Sequence, residues 1–252
     1  MVESLEELGR FLDSMNNIDK YEFCPADQGE GSLEGLKQFE EIEDVNLLKL
    51  LLVILGEKKG CGFSQKLPDR EHLDELVDYL NSHGLNVWKA VGLEEEKFVY
   101  IDVKASRENP GENFFDNKDE LRAENPEKYH REMGEFFGYP EESIEAFNSK
   151  PSIRERIRNF IARFTGLNQE RSSIIGVEQA LGKYGEELSD DRRRDLRTLI
   201  FYMLKDDPES FSKAVDRAEE RRKAIEKAEE ETGTDLTELQ ENYLELLDSF
   251  GQ

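Results

Sequence analysis

The densest run of residues able to do chemistry is Tyr129-His130-Arg131-Glu132-Met133-Gly134-Glu135-Phe136-Phe137-Gly138-Tyr139-Pro140. On a helix, Tyr129, Met133, Phe136 and Phe137 make one apolar stripe, and His130 stands about 100° round from Tyr129, at its edge. Pro140 suits the first position of a following helix, with Glu141 and Glu142 in its first turn. Backbone N–H groups at such a helix start can hold an anion. His130 and Arg131 would place an imidazole and a guanidinium beside it, joined by Tyr139, Ser143 and, from farther up the chain, Lys59. A site of this kind would take a phosphorylated or nucleotide-like small molecule, overhung by the polar stretch from Ala105 to Asn125. The structural alternative makes His130 a boundary residue and pairs Arg131 with Glu127 or Glu135, with the Glu141 and Glu142 carboxylates competing for the helix end.

A second cluster, Lys58-Lys59-Gly60-Cys61-Gly62-Phe63-Ser64, combines glycines that permit close backbone approach with lysines that attract phosphate. It lacks the G-x-x-x-x-G-K-[ST] order, and its lysines precede the glycines, so a tight turn and weak edge strand is the favoured reading. Cys61 as a nucleophile would need a base from His72, His83 or His130, the histidines of the chain, and no spacing places one beside it. Cys24, Cys61 and a histidine show no metal-ligand spacing, so no metal and no cofactor is expected. Adjacent carboxylates occur throughout and carry no information about acid–base catalysis. Lys150 to Arg163 holds five basic residues and one acid. On a helix, Arg154 and Arg158 flank one side of an apolar stripe, either laying their stems over apolar neighbours or forming a contact surface.

The pattern Tyr-His-Arg-x-Met-Gly-x-Phe-Phe-Gly-Tyr-Pro-Glu-x-x-Ile-x-Ala-Phe, from Tyr129 to Phe147, resembles a family of uncharacterised, mainly archaeal proteins. In those, the Gly-Tyr-Pro helix end is often followed by a pair of cysteines, where this chain has Glu142 and Ser143. The resemblance implies an archaeal origin and no established activity. Any metal or redox chemistry of such cysteines is missing here.

The chain that must position these residues has 252 of them, with 58 acids against 34 bases and a net charge of −24. A phosphate backbone or an anionic membrane would be repelled, so general nucleic-acid binding is not expected. Because the acids are spread along the chain, salt adaptation is favoured over recognition of a basic partner. Two separated cysteines, an N-terminus without basic and apolar leader regions, and a longest apolar run far too short for a bilayer point to a reduced, cytoplasmic, soluble protein.

Ser4 and Glu7 cap a first helix, and Asn16 to Gly31 reads as a loop. A second helix runs from about Leu33 to Glu43. Asp44 opens a third, apolar nearly all round and closed by Gly56. A weak strand from Lys59 to Ser64, an amphipathic helix from Asp69 to Gly84, and strands at Leu85–Val91 and Phe98–Val103 give a crossover and a hairpin. Helix returns from Glu127 to Phe137. From Ser152 onward all is helical: one helix ending at Gly166, one begun at Ser189 and reaching Leu204, one from Pro208 to Gly233, and a last that folds back on it as an antiparallel hairpin.

The fold class expected is α+β: a small three-stranded mixed sheet with covering helices in residues 1–150, then an all-helical half in 151–252, the two sharing a core or not. The favoured function is a non-enzymatic binding or assembly module. Its narrow stripe of Phe211, Val215, Ala218 and Ile225 would meet a protein partner or a second copy.

Overall fold

The computed structural model describes residues 21–27, 31–65, 70–91, 99–105, 109–148, 170–202 and 204–250. The helices expected at Ser4–Met15 and Ser152–Phe164 lie outside these.

Strand β1 (Glu22–Cys24), helix α1 (Asp44–Ile54), β2 (Gly60–Gln65), α2 (Arg70–Ser82), β3 (Leu85–Val91) and β4 (Val99–Ala105) follow in order, with a 3-10 turn at Leu33–Gln38 where a full helix was expected. The sheet order is β1-β3-β4-β2, and every neighbouring pair is antiparallel. This corrects the three-stranded mixed sheet. β2 and β3 do run parallel around α2, but β4 returns between them and takes the hydrogen bonds of both. The extra strand comes from a segment read as loop: Tyr21 to Cys24 is too short to show alternation, and pairing with Trp88 and its neighbours holds it.

Register sorts the side chains into two faces, because successive residues of a strand point opposite ways. Cys24, Val87, Val103 and Cys61 form one row across the sheet. Over that face lie α1 and α2, with Leu73, Leu76 and Leu80 buried at helical spacing. Lys89, on the same face, reaches Asp74 of α2 at 2.8 Å and Glu22 at 3.6 Å. The opposite face carries Phe23 and Trp88, under Phe115 and Phe136. The Trp88 indole N–H donates to the Glu112 carbonyl at 3.1 Å. Those partners sit in a 3-10 turn (Glu112–Phe115) and in helix α4 (Pro126–Phe137), with α3 (Lys118–Glu124) between them. The described part of the polar stretch expected as loop is thus structured, held by its two adjacent phenylalanines. Gly60 is required where α4 crosses β2, since a Cβ there would come within 2.9 Å of the Phe136 carbonyl oxygen and 2.8 Å of that of Val103.

α4 starts one residue before the expected Glu127, with Pro126 at the first turn and Asn125 accepting from the Lys128 N–H. It ends at Gly138, whose φ of 70° favours glycine. α5 (Glu141–Asn148), α6 (Glu170–Tyr184), α7 (Asp190–Leu199), α8 (Pro208–Thr232) and α9 (Thr237–Phe250) complete the described chain. Ser189 and Asp207 cap α7 and α8 through the N–H groups of Arg192 and Ser210. α7 stops five residues earlier than its apolar pattern predicts. Ile200 is extended, and Ile200, Phe201 and Tyr202 cross the interior as buried non-helical chain.

α8 packs chiefly along α7, and α9 chiefly along α1 and α7, in place of the hairpin expected between the last two helices. α1 therefore lies between the sheet and α9, and every residue from Val45 to Val53 is buried. One apolar cluster runs from Leu36 to Leu247, through both halves of the chain. The architecture is α+β.

Candidate functional site

The front-half candidates divide between surface and interior. His130 Nδ1 lies 3.2 Å from Asn148 Oδ1, and its ring stands edge-on to Phe147. Arg131 is exposed and ion-paired with Glu141, the first residue of α5. The Ser143 N–H donates to the Pro140 carbonyl at 2.9 Å, and the Ser143 side chain is buried. The α5 start thus holds its own carboxylate and its own turn bond where a bound anion was expected, and Arg131 takes neither Glu127 nor Glu135. Tyr139 turns inward against Phe137 and Tyr202. Lys59 is exposed, with its stem against Gly138, and its neighbour Lys58 is the buried one. Nothing in the sequence separates those two lysines.

The stripe expected to meet a partner is also internal. Val215 is 7% and Ile225 1% exposed, and Ala214 and Ala218 are buried with them. Small buried alanines on that stripe suit the packing of α8 along α7. Arg154 and Arg158 lie outside the described residues.

Among the described residues, no group of three or more His, Cys, Asp or Glu is placed to hold a metal ion. Cys24 and Cys61 occupy the two ends of one row of the sheet. Three strand spacings separate them by about 14 Å, too far for a disulfide or a shared ligand.

The helical half carries an open groove of about 490 Å³ between α6, α7 and α9. Its wall is Arg193, Arg194 and Arg197, which α7 presents together because positions three and four apart share a helix face. Its apolar floor is Leu181 from α6 and Leu244 from α9, and Glu178 and Asp190 stand at its edges. Arg193 closes the turn after α6, donating to the carbonyls of Gly185 at 2.6 Å and Leu188 at 3.1 Å. Arg197 bridges Glu178 at 2.6 Å and Asp248 at 2.8 Å. Arg194 lies 3.6 Å from Asp195 and 3.7 Å from Asp191.

Behind the wall, Asp195 is 2% exposed. It accepts from Gln240 Nε2 of α9 at 3.0 Å and meets Arg222 of α8 at 3.1 Å, while Gln240 also donates to Thr198. Burial pushes the Asp195 carboxyl above the usual range, against the pull of Gln240 and the arginines. This network fixes α7 between α8 and α9, so the three arginines project from a rigid wall. Their spacing is readable in the sequence at 193, 194 and 197, but the floor comes from helices on either side and is not. Comparison with protein-family models, with curated proteins and with solved structures gives no match.

Proposed function

We propose that the chain is a non-enzymatic binding module whose helical half takes an acidic, leucine-bearing segment of a protein partner in the groove between α6, α7 and α9. The observation that carries this reading is the row of Arg193, Arg194 and Arg197 over an apolar floor, on a chain whose net charge is −24. Glu178 and Asp248, which hold Arg197, are 47% and 58% exposed. Exposed ion pairs contribute little, so a partner's carboxylates can replace them at small cost while its leucines cover Leu181 and Leu244. The acids spread over the remaining surface support adaptation to high salt, and they would repel the same partner everywhere but here.

Fluorescence anisotropy with a labelled helical peptide of alternating glutamate and leucine faces tests the groove, against a lysine–leucine counterpart. Binding of the acidic peptide alone is expected, weakening with salt and falling about tenfold or more in Arg197→Glu, as loss of one charge-assisted hydrogen bond implies. Equal binding of both peptides, or an unchanged affinity in Arg197→Glu, would remove the reading. A concentration-dependent rise in mass without peptide would assign the groove to a second copy instead.

A further inference from the structure

The chain leading into the first 3-10 turn is strapped to the end of α2. The Asp27 N–H donates to the Asn81 carbonyl at 3.0 Å, and the Gly31 N–H to the Ser82 carbonyl at 3.1 Å. The Tyr79 hydroxyl donates to the Ser32 carbonyl at 3.2 Å. Close packing accompanies these bonds. Tyr79 and His83 are four residues apart, so their rings meet at the end of α2, edge to face with centres 4.7 Å apart. Gly35 lies against the Tyr79 ring, where an added Cβ would come within 2.7 Å of Cε2. Gly31 lies against the His83 ring, and a Cβ there would collide with Cδ2, Nε2 and Cε1 together. A side chain at residue 31 would lift the strap from the imidazole.

That contact closes off one ring nitrogen. His83 Nε2 is buried and has no hydrogen-bond partner. A neutral ring with its proton on Nδ1 loses only an acceptor there. Imidazolium carries an N–H at both nitrogens, and would leave a buried donor and a charge unmet. Among the described residues, no carboxylate acts on His83. Tyr79 is the titratable group against the ring, and burial raises its phenol far above the ordinary value, so it stays neutral. Burial holds the His83 pKa below its ordinary value, outweighing the Ser32 carbonyl, which favours the charged ring. Lifting Gly31 would open Nε2 to water and remove that penalty.

We infer that His83 is a proton-operated latch: neutral, it accepts Gly31 and Ser32 against the end of α2, and protonated, it turns them away. With the strap released, the ring titrates near the ordinary histidine value of about 6.5. With the strap attached, it titrates lower. Attachment is therefore at full strength above about pH 6.5. It weakens as pH falls from there to the lowered value, by at most about tenfold per pH unit for one proton. Release at mildly acidic pH frees the Asn81 and Ser82 carbonyls and uncovers the Tyr79 ring.

The test uses the full chain from about pH 7.5 to about pH 5, either side of the ordinary histidine value. Hydrogen exchange of the Gly31 amide, corrected for its intrinsic pH dependence, is followed beside an NMR titration of the His83 ring protons. His83 is expected to titrate below the ordinary value, and Gly31 protection to fall several-fold across the range while the Leu51 amide of α1 keeps its own. His83→Phe retains a ring and cannot take a proton, so its Gly31 protection should stay flat. His83→Gln, checked for fold by circular dichroism, serves where the phenylalanine variant does not fold. A His83 that titrates at the ordinary value, or a Gly31 protection that does not change with pH, would overturn the inference. So would the same loss of protection in a folded His83 variant, which would assign the response to another group.

Discussion

Replacing Arg221 with methionine should change stability by less than about 2 kcal/mol, despite the loss of a buried side chain. The two opposing effects can be worked from the structure. A guanidinium pushed down to about 10 by burial carries about 3 kcal/mol of charging cost at neutral pH. Methionine removes that cost and fills most of the same volume. Against it stands the Leu199 carbonyl, which loses its partner at a cost of about 1–3 kcal/mol. The Glu57 carbonyl loses only a 3.4 Å contact on a partly exposed residue and can turn to water. Arg221→Ala leaves the same carbonyl and adds a cavity, so it should be the worse variant by about 2 kcal/mol or more. The pH dependence has a definite sign. Above about pH 10 the folded chain releases the Arg221 proton while the unfolded chain keeps it, so the wild type should gain stability relative to Arg221→Met as pH rises through that region. Urea unfolding of the three proteins, followed by tryptophan emission at several pH values, measures all of this. A methionine variant as unstable as the alanine one, with no relative gain at high pH, would refute the reasoning, because the guanidinium would then be a net stabiliser.

Trp88, the single tryptophan, is fully buried against Phe115 and Phe136, so its emission should be blue-shifted and should report global unfolding. Trp88→Phe removes the bond to the Glu112 carbonyl along with ring volume, and should cost about 1–3 kcal/mol in denaturant titration; no measurable loss would contradict the packing described. Lys118 holds the Glu132 carboxyl below the usual carboxylate range through a direct hydrogen bond. That contribution is present above the ordinary glutamate pKa and is lost as pH falls through the lowered folded value, so Lys118→Met should narrow the stability gap to the wild type as acid is added. A gap that stays constant from neutral pH into that range would show the pair to be uncoupled from folding.

Elements defined by their own residues were legible in the sequence. Helix α1 reads as apolar on every side and is buried on every side. Asp207-Pro208 marks the start of α8, and Gly138 and Gly233 mark the ends of α4 and α8. What depended on distant partners was not legible. Tyr21 to Cys24 becomes a strand only because β3 offers it an edge. Ile200 to Tyr202 carries a helical apolar pattern yet leaves the helix, with Arg221 capping the Leu199 carbonyl from another element. Lys58 and Lys59 are adjacent and chemically identical, and the contacts that hold Lys58 inward include the Phe137 carbonyl, 79 residues further along. The stripe on α8 was visible, but its narrowness pointed to an unfilled face. Alanines at a close helix crossing give the same pattern.

The burial of α1 on all sides has a consequence for how the chain is made. Its inner surface is covered by β2 and β4, and its outer surface by α9, whose residues are the last to be described. Roughly 200 residues separate the end of α1 from the end of α9, so at about 5–20 residues per second a nascent chain carries that oily helix with one side bare for about 10–40 s. Its nine buried positions include only Asn46 and Lys49 as polar breaks. During synthesis, α1 is therefore the segment a chaperone would hold, and a chain cut short before α9 would present it to every neighbour.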